Sequence, residues 1–243
     1  MSESCKICDP KCKYKDCICN EKFSSFYNIY NDLHDISLFG KFNLIKNWSI
    51  STMTVCCSFN SPINLKEYIN TYCQEIYTKA FYNCINTYTG VKYQNKTKVS
   101  VKIFSNGNIQ LAGLLNVMSA TYAIRKIYKR LYNLKAFISD SYISNVRICM
   151  INSDFKINKN IKQSSVCDFI DSSDIDYIKS YSFNPSKYPG INIKFATPYN
   201  ESLITCAIFR PGSIIITGGN DINSYSFVLN KIINLLEDDN FLY

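Results

Sequence analysis

The sequence predicts an α+β fold in which two pseudo-symmetric repeats form a curved antiparallel sheet, with helices over one of its faces. Three observations predict it. A gapless internal match at an offset of 105 residues aligns 99–131 (VSVKIFSNGNIQLAGLLNVMSATYAIRKIYKRL) with 204–236 (ITCAIFRPGSIIITGGNDINSYSFVLNKIINLL). Two glycines, Gly107 and Gly113, recur as Gly212 and Gly218. After the second glycine of each copy, apolar residues change from a spacing of two to a helical spacing.

The chain divides into three parts. Residues 1–40 form a cysteine-rich N-terminal extension, followed by a first repeat over 41–137 and a second over 138–243. In the first repeat Val99, Val101 and Ile103 alternate with Ser100, Lys102 and Phe104, the pattern of a half-buried strand. Ser105-Asn106-Gly107 turns the chain, and glycine is the residue that takes a positive φ there without a steric penalty. Ile109 and Leu111 then face the way of Ile103, whereas Gln110 and Ala112 face the way of Phe104. Val117, Ala120, Ile124, Ile127, Leu131 and Leu134 make one helical stripe. The second repeat repeats this layout with Ile204, Cys206 and Ile208, a Pro211-Gly212 turn, Ile214 and Ile216. Its helix uses Ile222, Tyr225, Leu229, Ile232 and Leu236. Fainter strands are expected upstream, over 48–55 and 145–151.

Bulk composition supports a folded core, with 47% hydrophobic and 14% aromatic residues and only 8 Gly and 6 Pro. The formal charge of +8 suits a polyanionic partner and equally an ordinary solvated surface. No run reaches the ~18 apolar residues of a membrane span. The start of the chain has charges and cysteines where a secretory signal needs an apolar run. An intracellular protein with reduced thiols is therefore expected.

Helices can cover one face of such a sheet. The other carries Phe104, Lys102, Gln110 and Ala112 from the first repeat, and Phe209, Ala207, Ile215 and Thr217 from the second. A large ring beside a turn on an uncovered face, once per repeat, suits a partner surface, because soluble proteins rarely leave connected apolar patches open. Minor-groove binders use such rings as wedges between base steps. Packing against an extra helix, or a place in a protein interface, is the alternative.

These segments resemble the TATA-box-binding protein family. KIFSNGNIQLAG (102–113) and AIFRPGSIIITGG (207–219) are similar to the two copies of its signature, YPGINIKF (188–195) to its Phe-Pro-Gly segment, and STMTVCC (51–57) to its opening strand. The likeness covers about 42–238 and is of the divergent kind encoded by large DNA viruses. It implies a saddle whose concave sheet binds and bends AT-rich double-stranded DNA, with RNA polymerase or other transcription factors as partners. It places the protein in the host nucleus, a cytoplasmic viral factory or the virion. Four phenylalanines do the kinking in the family; here Phe104 and Phe209 match one of each pair, and Tyr88 and Tyr188 stand for the others. Asn145 matches a central asparagine, Asn47 stands one position off in the first repeat, and Ile215 and Thr217 keep family contacts. Family phosphate-binding lysines are replaced by Asn108, Ser213, Leu115 and Asn220. Lys102 and Arg147 instead charge the concave face, and Lys96, Lys98, Lys187, Lys194 and Arg210 stand nearby as compensating cations. The alternative is a scaffold of a viral transcription complex that has lost strong DNA binding.

Cys5, Cys8, Cys12, Cys17 and Cys19 offer enough thiolates for one tetrahedral Zn²⁺. A reduced basic tail with Lys6, Lys11, Lys13 and Lys15 is the other reading. No enzyme is expected. His34 is the only histidine, and neither a phosphate-binding loop nor a dinucleotide fingerprint is present. Asp171, Asp174 and Asp176 read as a polar loop, with a metal-dependent nuclease as the remote alternative.

Overall fold

The computed structural model describes residues 45–72, 83–92, 94 and 98–243. They group into two compact units, Thr52–Cys149 and Met150–Tyr243, with 45–51 counted in the second. Each is an antiparallel sheet with helices.

The first unit contains β1 (Ile45–Ser58, its opening shared with the second), α1 (Leu65–Tyr72), β2 (Cys84–Gly90), β3 (Lys98–Phe104), β4 (Asn108–Leu114) and α2 (Val117–Asn133). Its strand order is β2-β3-β4-β1. Val99, Val101 and Ile103 from β3, Ile109 and Leu111 from β4, and Val55 and Cys57 from β1 are buried, as are Ala120, Ile124, Ile127 and Leu131 from α2. These are the alternate strand positions and the single helical stripe that the spacing predicts. Leu134 ends the stripe as the C-cap of α2 and is half-buried.

The second unit contains β5 (Ser144–Ile157, whose first residues group with unit one), α3 (Gln163–Ser172), β6 (Ile178–Asn184), β7 (Tyr188–Thr197), β8 (Asn200–Phe209), β9 (Ser213–Gly219) and α4 (Ile222–Leu236). Its order is β5-β9-β8-β7-β6, and a 3₁₀ turn at Asp239–Phe241 follows α4. Ile204, Cys206, Ile208, Ile214 and Ile216 are buried with Tyr225, Leu229, Ile232 and Leu236 of α4.

The same backbone devices appear in both units. Gly107 has φ +91° and donates its N–H to Phe104 O at 3.0 Å; Gly212 has φ +83° and donates to Phe209 O at 3.0 Å. Each hairpin is thus a tight turn closed by a left-handed residue. Carbonyls also crowd both glycines: a Cβ on Gly107 would run into Ser61 O, and one on Gly212 would lie 2.6 Å from Ile157 O and Lys159 O. Gly113 and Gly218 are skipped at bulges in the β1–β4 and β5–β9 ladders. Asn116 and Asp221 cap α2 and α4 by accepting the Ser119 and Ser224 N–H groups, each at 2.8 Å.

The upstream strands are longer than 48–55 and 145–151, because β1 and β5 each run for 14 residues. Their alternation is blurred in the sequence by small and ambivalent side chains such as Thr54, Cys56 and Met150. The short helices α1 and α3 had no clear sequence signal, since they bury only Tyr68, and Val166 with Ile170.

Candidate nucleic-acid interface

Side chains on the face away from α2 and α4 can be read in rows, because directly paired residues of an antiparallel ladder share a face. In the first unit one row is Asn86–Lys102–Gln110–Cys56 and the next is Tyr88–Ser100–Ala112–Thr54. Phe104 ends β3 opposite Cys84 and is half-buried, with its neighbour Ile103 in the core. In the second unit the matching rows are Ser182–Asn192–Ala207–Ile215–Asp154 and Lys194–Thr205–Thr217–Asn152. Phe209 ends β8 opposite Gly190 and is half-buried. Alternation with the buried Ile103 and Ile208 directs both rings away from the face that α2 and α4 cover.

The corner around Phe209 is built closely. The Tyr188 ring stands edge-on to Phe209 with centroids 5.5 Å apart, and Tyr188 remains 40% exposed. Between them lies Gly190, where a Cβ would come within 2.9 Å of the Phe209 ring and 3.0 Å of the Tyr188 ring. The Gln163 side-chain amide donates to Pro189 O at 2.8 Å and Ile208 O at 3.0 Å, tying the start of β7 to the end of β8. An apolar, half-open aromatic pair at a fixed strand end has the makings of a wedge.

Charge on this face is uneven. Lys102 and Lys194 stand exposed in its rows; Arg147 and Arg210, also exposed, lie outside the paired rows, and the Arg210 guanidinium is 5.8 Å from the Tyr243 ring centroid. Burial first, then the hydrogen bond and charge of Cys149, push the Cys56 thiol up to about 12, with Arg147 opposing. Burial also raises Cys57 and Cys84, with Lys102 opposing at Cys84. These thiols are neutral at physiological pH. Asn152 Oδ1 is buried and has no hydrogen-bond partner among the described residues. Asp154 Oδ1 accepts from Ser49 Oγ at 3.3 Å.

A family profile described as "Transcription factor TFIID (or TATA-binding protein, TBP)" matches residues 47–134 and 154–238, more than half of the chain. The chain belongs to the TATA-binding protein family. Among relatives, a "TATA-box-binding protein-like" protein of Acanthamoeba polyphaga mimivirus is 25% identical over 65% of this chain. The "TATA-box-binding protein" of Methanothermococcus thermolithotrophicus is 26% identical over 58% of it. The match spans 49% of the mimivirus protein and 70% of the archaeal one. The structure "Methanococcus jannaschii TBP" aligns with a TM-score of 0.61 at 18% identity, covering 79% of this chain and 99% of that one. The chain is a divergent, TATA-binding-protein-like protein with the family's two repeats.

Within that family frame, the ladder register sets two residues apart from their expected counterparts. Tyr88, 58% exposed, lies on the open face but opposite Ser100, so its counterpart in the second repeat is Lys194, opposite Thr205. In register its place is therefore not the one that Tyr188 holds beside Phe209. Tyr188 stands two residues before Gly190, the partner of Phe209; two residues before Cys84, the partner of Phe104, is Tyr82, outside the described residues. Asn145 is an exposed residue at the start of β5 with φ +51°, whereas Asn152 holds the place opposite Thr217. The sequence match missed this because equivalent residues of β1 and β5 are 98 apart (Cys56 and Asp154), against 105 for β3 and β8 (Lys102 and Ala207). Extra residues between α3 and β8 absorb the difference.

Lys102, Ile215 and Thr217 occupy the open-face positions expected of them. Asn47 has no described side chain, and Cys5, Cys8, Cys12, Cys17, Cys19 and Lys96 lie outside the described residues. Of the acidic trio, Asp171 accepts the Tyr181 hydroxyl at 2.7 Å, which pushes that phenol up to about 12. Among the described residues, no group of three or more His, Cys, Asp or Glu could hold a metal ion. No helix among them is long and apolar enough to cross a membrane.

Proposed function

We propose that this chain is a non-enzymatic transcription initiation factor that lays its open sheet face against the minor groove of AT-rich promoter DNA and bends it. The observation that carries the reading is the Tyr188–Phe209 pair, half-open and held by Gly190 and Gln163 at a strand end, with Phe104 at the matching place of the first repeat. Inserted rings would unstack base steps at a cost of a few kcal/mol each, offset by the larger contact area on bent DNA. Lys102, Lys194 and Arg210 supply phosphate contacts in place of the family's lysines. RNA polymerase or partner transcription factors would dock elsewhere on the repeats. The five N-terminal cysteines are a proposed Zn²⁺ site, for which metal analysis of the purified full chain is the test.

A second reading is a scaffold in a viral transcription complex with little DNA affinity. Asp154 favours it, because a carboxylate on the open face repels phosphate and groove acceptors. A mobility-shift and bending assay with AT-rich and GC-rich duplexes at low salt separates the two. Bent complexes that are lost when Phe104 and Phe209 become alanine support the first reading. Absence of any complex at 50 mM salt, a condition at which phosphate contacts are strong, overturns it in favour of the second.

A further inference from the structure

Asp154 is the one acidic side chain in the paired rows of the open face described above. It stands opposite Ile215, in a row continued by Ala207 and Asn192, and is half-buried. One of its oxygens takes a long hydrogen bond from Ser49. Among the described residues it has no ion-pair partner; the ion pair found there is Lys159–Asp239. Its register counterpart in the first repeat is Cys56, whose thiol is uncharged. At this register position one repeat therefore carries a carboxylate and the other a thiol.

Groove chemistry gives this acceptor a definite partner. A·T pairs present only acceptors in the minor groove, adenine N3 and thymine O2, whereas a G·C pair adds the guanine N2 amino donor. A carboxylate is acceptor-only. Pressed against A·T it is desolvated opposite other acceptors; pressed against G·C it receives a charge-assisted hydrogen bond.

Resting on the proposed minor-groove function, we infer that Asp154 is a specificity-determining residue that selects a G·C pair at one position of an otherwise AT-rich site. Because Cys56 cannot do the same, the selection also gives a pseudo-symmetric protein a fixed direction on the DNA. Neighbouring Asn152, with its unsatisfied Oδ1, places a further amide beside this position.

The test is selection of duplexes bound by the full chain from a randomised pool, followed by titration of the winning sequence and its variants. A single preferred G·C is expected on one side of the site, with roughly tenfold weaker binding when it becomes A·T. Inosine·C, which lacks the amino group, should bind as weakly as A·T, and 2,6-diaminopurine·T, which supplies it, should bind as well as G·C. Asp154→Val should erase these differences. The nucleotide substitutions leave the protein untouched, so they decide the matter even where the variant folds poorly. Bent complexes that prefer A·T throughout, or a G·C preference indifferent to the amino group, would overturn the inference while leaving the proposed function standing. Failure of every duplex to bind overturns both.

Discussion

Tyr188 meets Phe209 edge-on at 5.5 Å between ring centroids, and the glycine between them, Gly190, leaves no room for a methyl group. Both rings are partly open, so their removal should damage DNA handling more than folding. Phe209→Ala is expected to weaken duplex binding by about 10- to 100-fold and to reduce the bend, as loss of a base-contacting ring does. Circular permutation or energy-transfer measurement of the bend reads this directly. An unchanged bend would remove the wedge role from Phe209.

Gly190→Ala pushes a Cβ into two rings that can give way. It should cost about 1–2 kcal/mol of stability and lower the bend without touching any charge. Urea unfolding and the bending assay together check this.

Gly107 and Gly212 combine a positive φ with carbonyl oxygens where a Cβ would sit, whereas Gly113, φ +89°, has nothing within 4 Å of that place. Alanine at Gly107 or Gly212 should therefore destabilise by ~3 kcal/mol, from backbone strain plus overlap. Alanine at Gly113 should cost only about 1 kcal/mol of backbone strain. Equal midpoints for Gly113→Ala and Gly212→Ala in denaturant would contradict this account of the turn.

Lys102, Lys194 and Arg210 are exposed cations on or beside the open face. Each one that neutralises a phosphate should, on change to alanine, lower the slope of log affinity against log salt by about 0.9. The slopes of the three variants would show which of them replace the family's lysines. Three unaltered slopes would assign them to solvent.

Cys56 is held up to about 12, from an ordinary 9.0, first by burial and then by Cys149. A thiol raised on folding supports the folded state fully below its unfolded value and loses that support as pH climbs through the folded one. Stability should thus fall between about pH 9 and about 12, and less so in Cys56→Ser. Alkylation of Cys56, and of the buried Cys57 and Cys206, should be slow at pH 8 until the chain is unfolded, as mass spectrometry of labelled peptides can follow.

Much of each repeat's fold is legible without coordinates. The buried sets Val99–Val101–Ile103 and Ile204–Cys206–Ile208 are as their alternation predicts, and the stripes of α2 and α4 follow from helical spacing. The site is less legible. Phe104, Phe209 and Tyr188 could be located because each adjoins a turn marked by glycine or proline. Tyr88 and Asn145 could not be placed by likeness of motif, since a ladder's register rests on residues far along the chain. Asn152 and Asp154 escaped notice because the 105-residue offset does not hold in β5.

Local physics explains the division. By itself the sequence determined the repeats, their turns and their buried stripes, since strand alternation, helical spacing and positive-φ glycine are properties of short stretches. Only the tertiary structure decided which side chains share a row on the open face. A single skipped residue at Gly113 or Gly218, or a few extra in a connection, shifts the partners across a ladder. Through that shift Asp154, and not a residue the motifs could point to, came to stand opposite Ile215.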